Sequence, residues 1–192
     1  VEIAGKPMRV KVAHMRLCAS RAVYVRAYPR ETQEMVFDAH ARGFAFFGGV
    51  PLRGIYDNMK TAVTAVFVGK ERVFNRRFLV MADHYMVEPT ACSPAAGWEK
   101  GQVENQVQTI RGRFFQPRLR FASIEELNGW LEAECLRWAA THAHPEQKEL
   151  TVAEALDLER PALQPMLAPF DGFHETAHAV TGTCLISFDR NR

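Results

Sequence analysis

Ala22-Val23-Tyr24-Val25-Arg26-Ala27-Tyr28-Pro29-Arg30-Glu31-Thr32 holds a change of element within a few residues. Its first seven positions are rich in β-branched and aromatic side chains, which reads as a strand, and Pro29 ends it. Thr32 is a helix N-cap, and Met35, Val36, Ala39, Phe46 and Phe47 populate an apolar side of the helix that follows. Gly48-Gly49 stops that helix. Upstream, Arg9–Ala13 alternates polar with small or apolar residues, and Met15 and Leu17 continue the pattern. Val1–Ala4 reads as an earlier strand, with Lys6-Pro7 and Ala19-Ser20-Arg21 as turns. Consecutive strands with short links predict a three-stranded antiparallel meander leading into a helix.

Downstream, strands and helices alternate. Leu52-Arg53-Gly54-Ile55-Tyr56-Asp57 reads as a short strand ending in an acid, and Val63–Val68 as another extended piece. Arg76–Tyr85 predicts a helix with Phe78, Leu79 and Ala82 inward, and Met86–Cys92 a further strand. After a loop at Pro94–Gly97, Gly101–Phe115 carries one apolar stripe, Val103, Val107, Ile110 and Phe114. Glu104, Gln108 and Arg111 form a polar ridge beside it. Ser123-Ile124-Glu125-Glu126 is a capping box opening a helix to about Ala140, with Leu127, Leu131, Cys135 and Trp138 apolar. Thr151-Val152-Ala153-Glu154 is a second capping box. Pro161–Pro169 reads as a linker and Thr183–Phe188 as a strand. The expected class is α/β, a mixed sheet of meander plus parallel strands flanked by helices. That order resembles the ribonuclease H type of sheet, and function must come from the site.

The 192 residues have a formal net charge of only +2, which argues against a strongly basic nucleic-acid binder. The total conceals a split. Residues 1–121 carry 19 Lys and Arg against 10 Asp and Glu, a net of +9, and residues 122–192 carry a net of −7. Such asymmetry points to a polyanion for the basic part, although the same fields also serve solubility. Cys18, Cys92, Cys135 and Cys184 form no CxxC pair, the pattern of ordinary buried thiols in a reducing compartment. No run approaches ~18 apolar residues and no signal peptide is visible, so a cytoplasmic protein with no membrane span is expected.

Two carboxylates stand out. Asp57 follows a strand, and Glu104 sits on a helix beside its apolar stripe. Two or three such groups can hold two Mg²⁺ or Mn²⁺ ions about 3.5–4 Å apart and clamp an in-line phosphoryl displacement. Taken singly, each has a plainer reading: turn formation for Asp57, and complementing the helix dipole for Glu104. Lys60, Lys100, Arg111 and Arg113 lie near them in sequence and suit phosphate. His142, His144, His174 and His178 make an HxH and an HxxxH; without a cysteine pair they read as loop or surface histidines, not a zinc site. Phe114, Phe115 and Phe121, interleaved with Arg113, Arg118 and Arg120, could follow a DNA backbone, but Phe114 belongs to the apolar stripe.

The chain resembles the IstA-type transposases of bacterial insertion sequences, within the retroviral-integrase-like group of acidic-triad recombinases. The carriers are Tyr28-Pro29-Arg30-Glu31-Thr32, Gly54-Ile55-Tyr56-Asp57-Asn58-Met59-Lys60 and Gly97-Trp98-Glu99-Lys100-Gly101-Gln102-Val103-Glu104-Asn105, in that order. His144-Pro145 followed by Thr151–Leu156 matches the segment after the core. The resemblance implies that Asp57 and Glu104 are the second and third acids of the triad. Arg111 then takes the place of a basic DNA contact, and Asn58 and Asn105 support the acids. It implies metal-dependent DNA cleavage and joining, a homo-multimer on DNA and an ATPase helper protein. Residues 1–145 then form the catalytic core, 146–168 a helix and linker, and 169–192 the start of a small β-barrel-like module. The family's first acid is an Asp on the first strand. Upstream of Asp57 the only Asp is Asp38, inside the predicted helix, so that ligand is expected before Val1. A fragment lacking it is expected to be inactive although its parent is an enzyme. Two alternatives are another ribonuclease H-like nuclease and an inactive DNA-binding remnant.

Overall fold

The structure is a computed structural model that describes residues 1–56, 63–66, 72–91, 109–172 and 182. Strands β3 (Lys11–Arg16) and β4 (Val23–Tyr28) form an antiparallel hairpin running from Lys11 opposite Tyr28 to Arg16 opposite Val23. β4 is buried along its length, with only Arg26 reaching part-way to solvent. Its alternation divides the interior. Val23, Val25 and Ala27 pack with Ile110, Phe114, Leu127, Leu131 and Cys135 on one face. Tyr24 packs with Phe46 and Phe47 of α1 (Gln33–Phe47) on the other.

The meander is thus present as a two-stranded hairpin. β1 (Glu2–Ile3) does not extend it. β1 pairs antiparallel with β2 (Lys6–Pro7), so the predicted turn at Lys6-Pro7 is a short strand. On its other side β1 pairs parallel with β9 (Arg120–Phe121).

α1 begins and ends where its residue types require. The Thr32 hydroxyl accepts from the Met35 N–H at 3.4 Å. Gly48, at φ 81°, adopts the left-handed conformation that a side chain disfavours, and donates back to Phe44 and Ala45. The inward face is Phe37, Ala39, His40, Gly43, Phe44 and Phe47. Met35 and Val36, expected there, are only partly buried. Phe37 and Phe44 join Val50, Tyr56, Phe78, Met81, Tyr85 and Val87 in a second core. Each fully buried phenylalanine there contributes about 2–3 kcal/mol of transfer free energy.

β5 (Arg53–Tyr56) pairs parallel with β8 (Glu88–Ala91), with Arg53 opposite Glu88 and Tyr56 opposite Ala91. Between them in the chain come the antiparallel strands β6 (Val63–Val66) and β7 (Arg72–Phe74), then α2 (Arg76–His84). The single extended piece expected after residue 62 is therefore one arm of a hairpin. In α2, Phe78, Met81 and Ala82 are buried, while Leu79 is 37% exposed and does not face inward as expected. The apolar run Phe78–Ala82 offers two possible faces, and packing on α1 and β8 selects one.

Residues 109–114 are helical and are called α3. Ile110 and Phe114 are buried, as the stripe predicts, and Phe114 is core. α4 (Ile124–Thr141) opens on Ser123, whose hydroxyl accepts from the Glu126 N–H. The Glu126 carboxylate reaches one residue further back than a capping box requires, to the Ala122 N–H. α4 lies against β4, and Asn128 pairs with both backbone groups of Ala27, at 2.7 and 3.0 Å. α5 (Val152–Glu159) opens with the complete capping box expected at Thr151 and Glu154.

The proline-rich stretch after α5 lies along the core. Val50 and Gln164 exchange two backbone hydrogen bonds of 2.8 Å, and the Tyr85 hydroxyl accepts from the Phe170 N–H. Phe170 stacks edge-on to Phe37. The expected strand Thr183–Phe188 lies outside the described residues. Among the described residues no helix is long and apolar enough to cross a membrane.

Candidate nucleic-acid interface

Asp57, Asn58, Lys60, Lys100, Glu104 and Asn105 lie outside the described residues, as do Trp98, Cys92, Cys184, His174 and His178. What the structure does describe is the residue that precedes Asp57. Tyr56 is buried at the end of β5, and its ring meets that of Phe78 edge-on at 4.8 Å. Its hydroxyl donates to Nε2 of His40 at 3.1 Å, while Nδ1–H of His40 donates to the Val36 carbonyl at 2.7 Å. Burial lowers the His40 pKa and so keeps the imidazole neutral, the state this pair of bonds needs. α2 therefore holds the last described residue of β5 by an aromatic contact and α1 holds it by a hydrogen bond.

Two predicted DNA contacts are described. Arg111 is exposed on α3. Arg113 turns toward the end of α4 and lies 4.5 Å from the centroid of the Trp138 ring, a cation–π contact. Among the described residues neither has an ion-pair partner. Burial lowers the Arg113 pKa from its ordinary value.

Arg113 is one wall of a cavity of about 370 Å³ that the sequence does not announce. His14 and Arg16 enter it from β3, Arg21 from the hairpin turn, and Trp138 and His142 from the end of α4. Val23, Ile110 and Val152 supply part of its apolar lining. Burial, and secondarily Arg21, lower the Arg16 pKa. Burial and then Arg16 push His14 down to about 4. Arg21 is paired with Glu146 at the surface. The residues come from five stretches of chain, and only Arg113 among them was read from the sequence as a phosphate contact.

Other candidates take structural roles. His144, expected in a loop or at the surface, is a buried loop residue. Its Nε2–H donates to the Ala19 carbonyl, and Nδ1 accepts from the Gln147 N–H at 2.9 Å. Cys135 is a buried thiol, pushed up to about 12 by burial, whereas Cys18 is exposed, contrary to expectation. Arg120 pairs with Glu2, and Phe121 packs on Trp130. Among the described residues no three His, Cys, Asp or Glu side chains gather in a way that could hold a metal ion.

Over 190 residues, 99% of its length, the chain is 52% identical to a transposase of Aminobacter aminovorans. Over the same span it is 46% identical to the transposase for insertion sequences IS1326/IS1353 of Pseudomonas aeruginosa. The chain belongs to the insertion-sequence transposases. It spans 37% of the length of each of these two transposases. No protein-family model matches it. The chain also superposes on a chain of the simian T-cell lymphotropic virus intasome in complex with the PP2A regulatory subunit B56 gamma. That likeness has a TM-score of 0.54 at 14% identity and covers 90% of this chain and 58% of that one. It concerns the fold alone, which is ribonuclease H-like, as the order of elements implied.

Proposed function

We propose that this chain is a catalytic-core fragment of a DNA transposase whose full-length form cleaves and joins DNA strands by metal-dependent phosphoryl transfer, the fragment without the family's first acid being inactive alone. The observation that carries the reading is its 52% identity, over 99% of its length, to a transposase. Asp57 and Glu104 are the catalytic carboxylates in this reading. Both are hard oxygen donors and fit Mg²⁺ or Mn²⁺. Two such ions would supply charge neutralisation on the transferred phosphoryl group. Lys60, Lys100, Arg111 and Arg113 hold backbone phosphates by charge-assisted hydrogen bonds, and Asn58 and Asn105 orient the neighbouring acids. The anchoring of Tyr56 supports the assignment of Asp57, because it fixes the chain one residue before the acid. Catalysis of this kind rests on positioning and charge neutralisation. The protein would act as a multimer on DNA with an ATPase helper, in the cytoplasm.

The test is strand joining by the full-length protein. Asp57→Asn or Glu104→Gln should lower joining by about a hundredfold or more while DNA binding persists. Joining retained in either variant removes that residue from the site. Cleavage without any joining by the unsubstituted protein would favour a ribonuclease H-like nuclease instead.

A further inference from the structure

The cavity between β3, α3 and the end of α4 brings together more positive charge than the structure itself uses. Arg16, Arg21 and Arg113 line it with His14 and His142. Among the described residues Glu146 is the one carboxylate paired with any of the three guanidinium groups, and it serves Arg21 at the rim. The Arg16 side chain has neither an ion pair nor a hydrogen bond among the described residues, and the Arg113 side chain has only the face of Trp138. Among the described residues, three of the five buried side-chain nitrogen or oxygen atoms that lack a hydrogen bond belong to its lining: His14 Nε2, Arg21 Nε and Trp138 Nε1. Buried polar groups are ordinarily satisfied, so this concentration of orphans marks a place where the fold is not organised for its own stability. Placing guanidinium groups in mutual repulsion around a hollow is costly unless an anion enters between them. The volume of about 370 Å³ is at the lower end of the range of ligand pockets.

We propose that this cavity is a phosphate-binding site in which Arg16 and Arg113 bind the phosphate oxygens and the face of Trp138 holds Arg113 in place. Guanidinium groups present paired donors that match a phosphate, and stacking on an indole leaves the edge of the fork free to donate. The phosphate is either one of a nucleic-acid backbone or that of a free phosphorylated compound. Asp57 and Glu104 are not among the proposed phosphate ligands, so loss of phosphate here and loss of strand joining are separately measurable.

The experiment is a nuclear magnetic resonance titration of the chain, following the indole N–H of Trp138 and the imidazole of His142. The probes are sodium pyrophosphate and a short DNA duplex, each run against sodium chloride at matched ionic strength. Saturable shifts of both reporters with pyrophosphate, beyond those given by chloride, are expected. Arg16→Gln and Arg113→Gln should each weaken binding at least tenfold, Arg113→Lys less so, and Lys148→Gln on the exposed surface should change nothing. Tighter binding of the duplex than of pyrophosphate assigns the site to backbone phosphate, and equal or weaker binding assigns it to a free phosphorylated compound. Shifts no larger than those from chloride, duplex binding without pyrophosphate binding, or unchanged affinity in both glutamine variants would overturn the proposal.

Discussion

Asn128 shows how one side chain closes a sheet edge. β4 pairs with β3 on one side, and on the other the backbone N–H and C=O of Ala27 meet the Asn128 amide instead of another strand. Both partners are buried, so water cannot replace the side chain. Asn128→Ala should therefore lower the unfolding free energy by about 2–3 kcal/mol in urea titration, the cost of two unsatisfied buried groups. A change below about 0.5 kcal/mol would show that the edge needs no clamp. His14 makes a second prediction at this scale. Burial and Arg16 hold its folded pKa at about 4, below the ordinary value of 6.5. The unfolded chain thus takes up the proton first as pH falls. Stability contributed by neutral His14 is present above pH 6.5 and is lost as pH falls toward 4, on the order of 2–3 kcal/mol in all. Urea unfolding at pH 7.5 and pH 4.5 should show that loss, and His14→Gln should remove part of it. The rest remains because buried His40 is shifted in the same direction.

Among the elements, α1 is the one that its residues describe most fully. Its N-cap at Thr32 and its stop at Gly48-Gly49 are both local devices, and local devices are readable in a chain. Gly48→Ala tests the stop. At φ 81° a Cβ is strained, and it would also stand 3.2 Å from Nε of Arg160, which bonds the Phe47 carbonyl. A loss of about 1 kcal/mol is expected in thermal or urea unfolding, with a smaller loss for Gly48→Asn. The same reasoning explains what was not legible. Apolar residues occur nearly all round α1, so periodicity could not single out Phe37, His40 and Phe44 as the inward face. The run Phe78–Ala82 misled for the same reason at Leu79. The β6–β7 hairpin depends on pairing between separate segments, and the docking of residues 161–170 depends on tertiary contacts with Val50, Phe37 and Tyr85. The basic cavity was invisible because its residues converge only through the β3–β4 register and the placement of α3 and α4. Asp57 and Glu104 are proposed from motif and placement in the chain, and both lie outside the described residues.

At the scale of the whole molecule, the split of charge survives folding among the described residues. The acidic segment beyond residue 121 touches the basic part at the hairpin turn, where Glu146 pairs with Arg21 and Glu159 accepts from the Ser20 N–H. Glu134 and Asp157 instead pair within their own helices or turns, with Arg137 and Arg160. Among the described residues the acidic side chains beyond residue 121 therefore neutralise little of the positive charge of the preceding segment. A polyanion bound to that part displaces counterions, so its affinity should fall steeply with salt, by about 0.9 in the log–log slope for each phosphate neutralised. If Arg111 contacts the DNA backbone, Arg111→Gln in the full-length protein should reduce the slope by about one, with similar effect on unrelated sequences. Glu125→Gln, which removes an exposed carboxylate of α4, should leave the slope unchanged. Fluorescence anisotropy with a labelled duplex across a salt series measures both. A slope altered equally by the two substitutions would mean that DNA senses the net charge of +2 and not the basic half of the molecule.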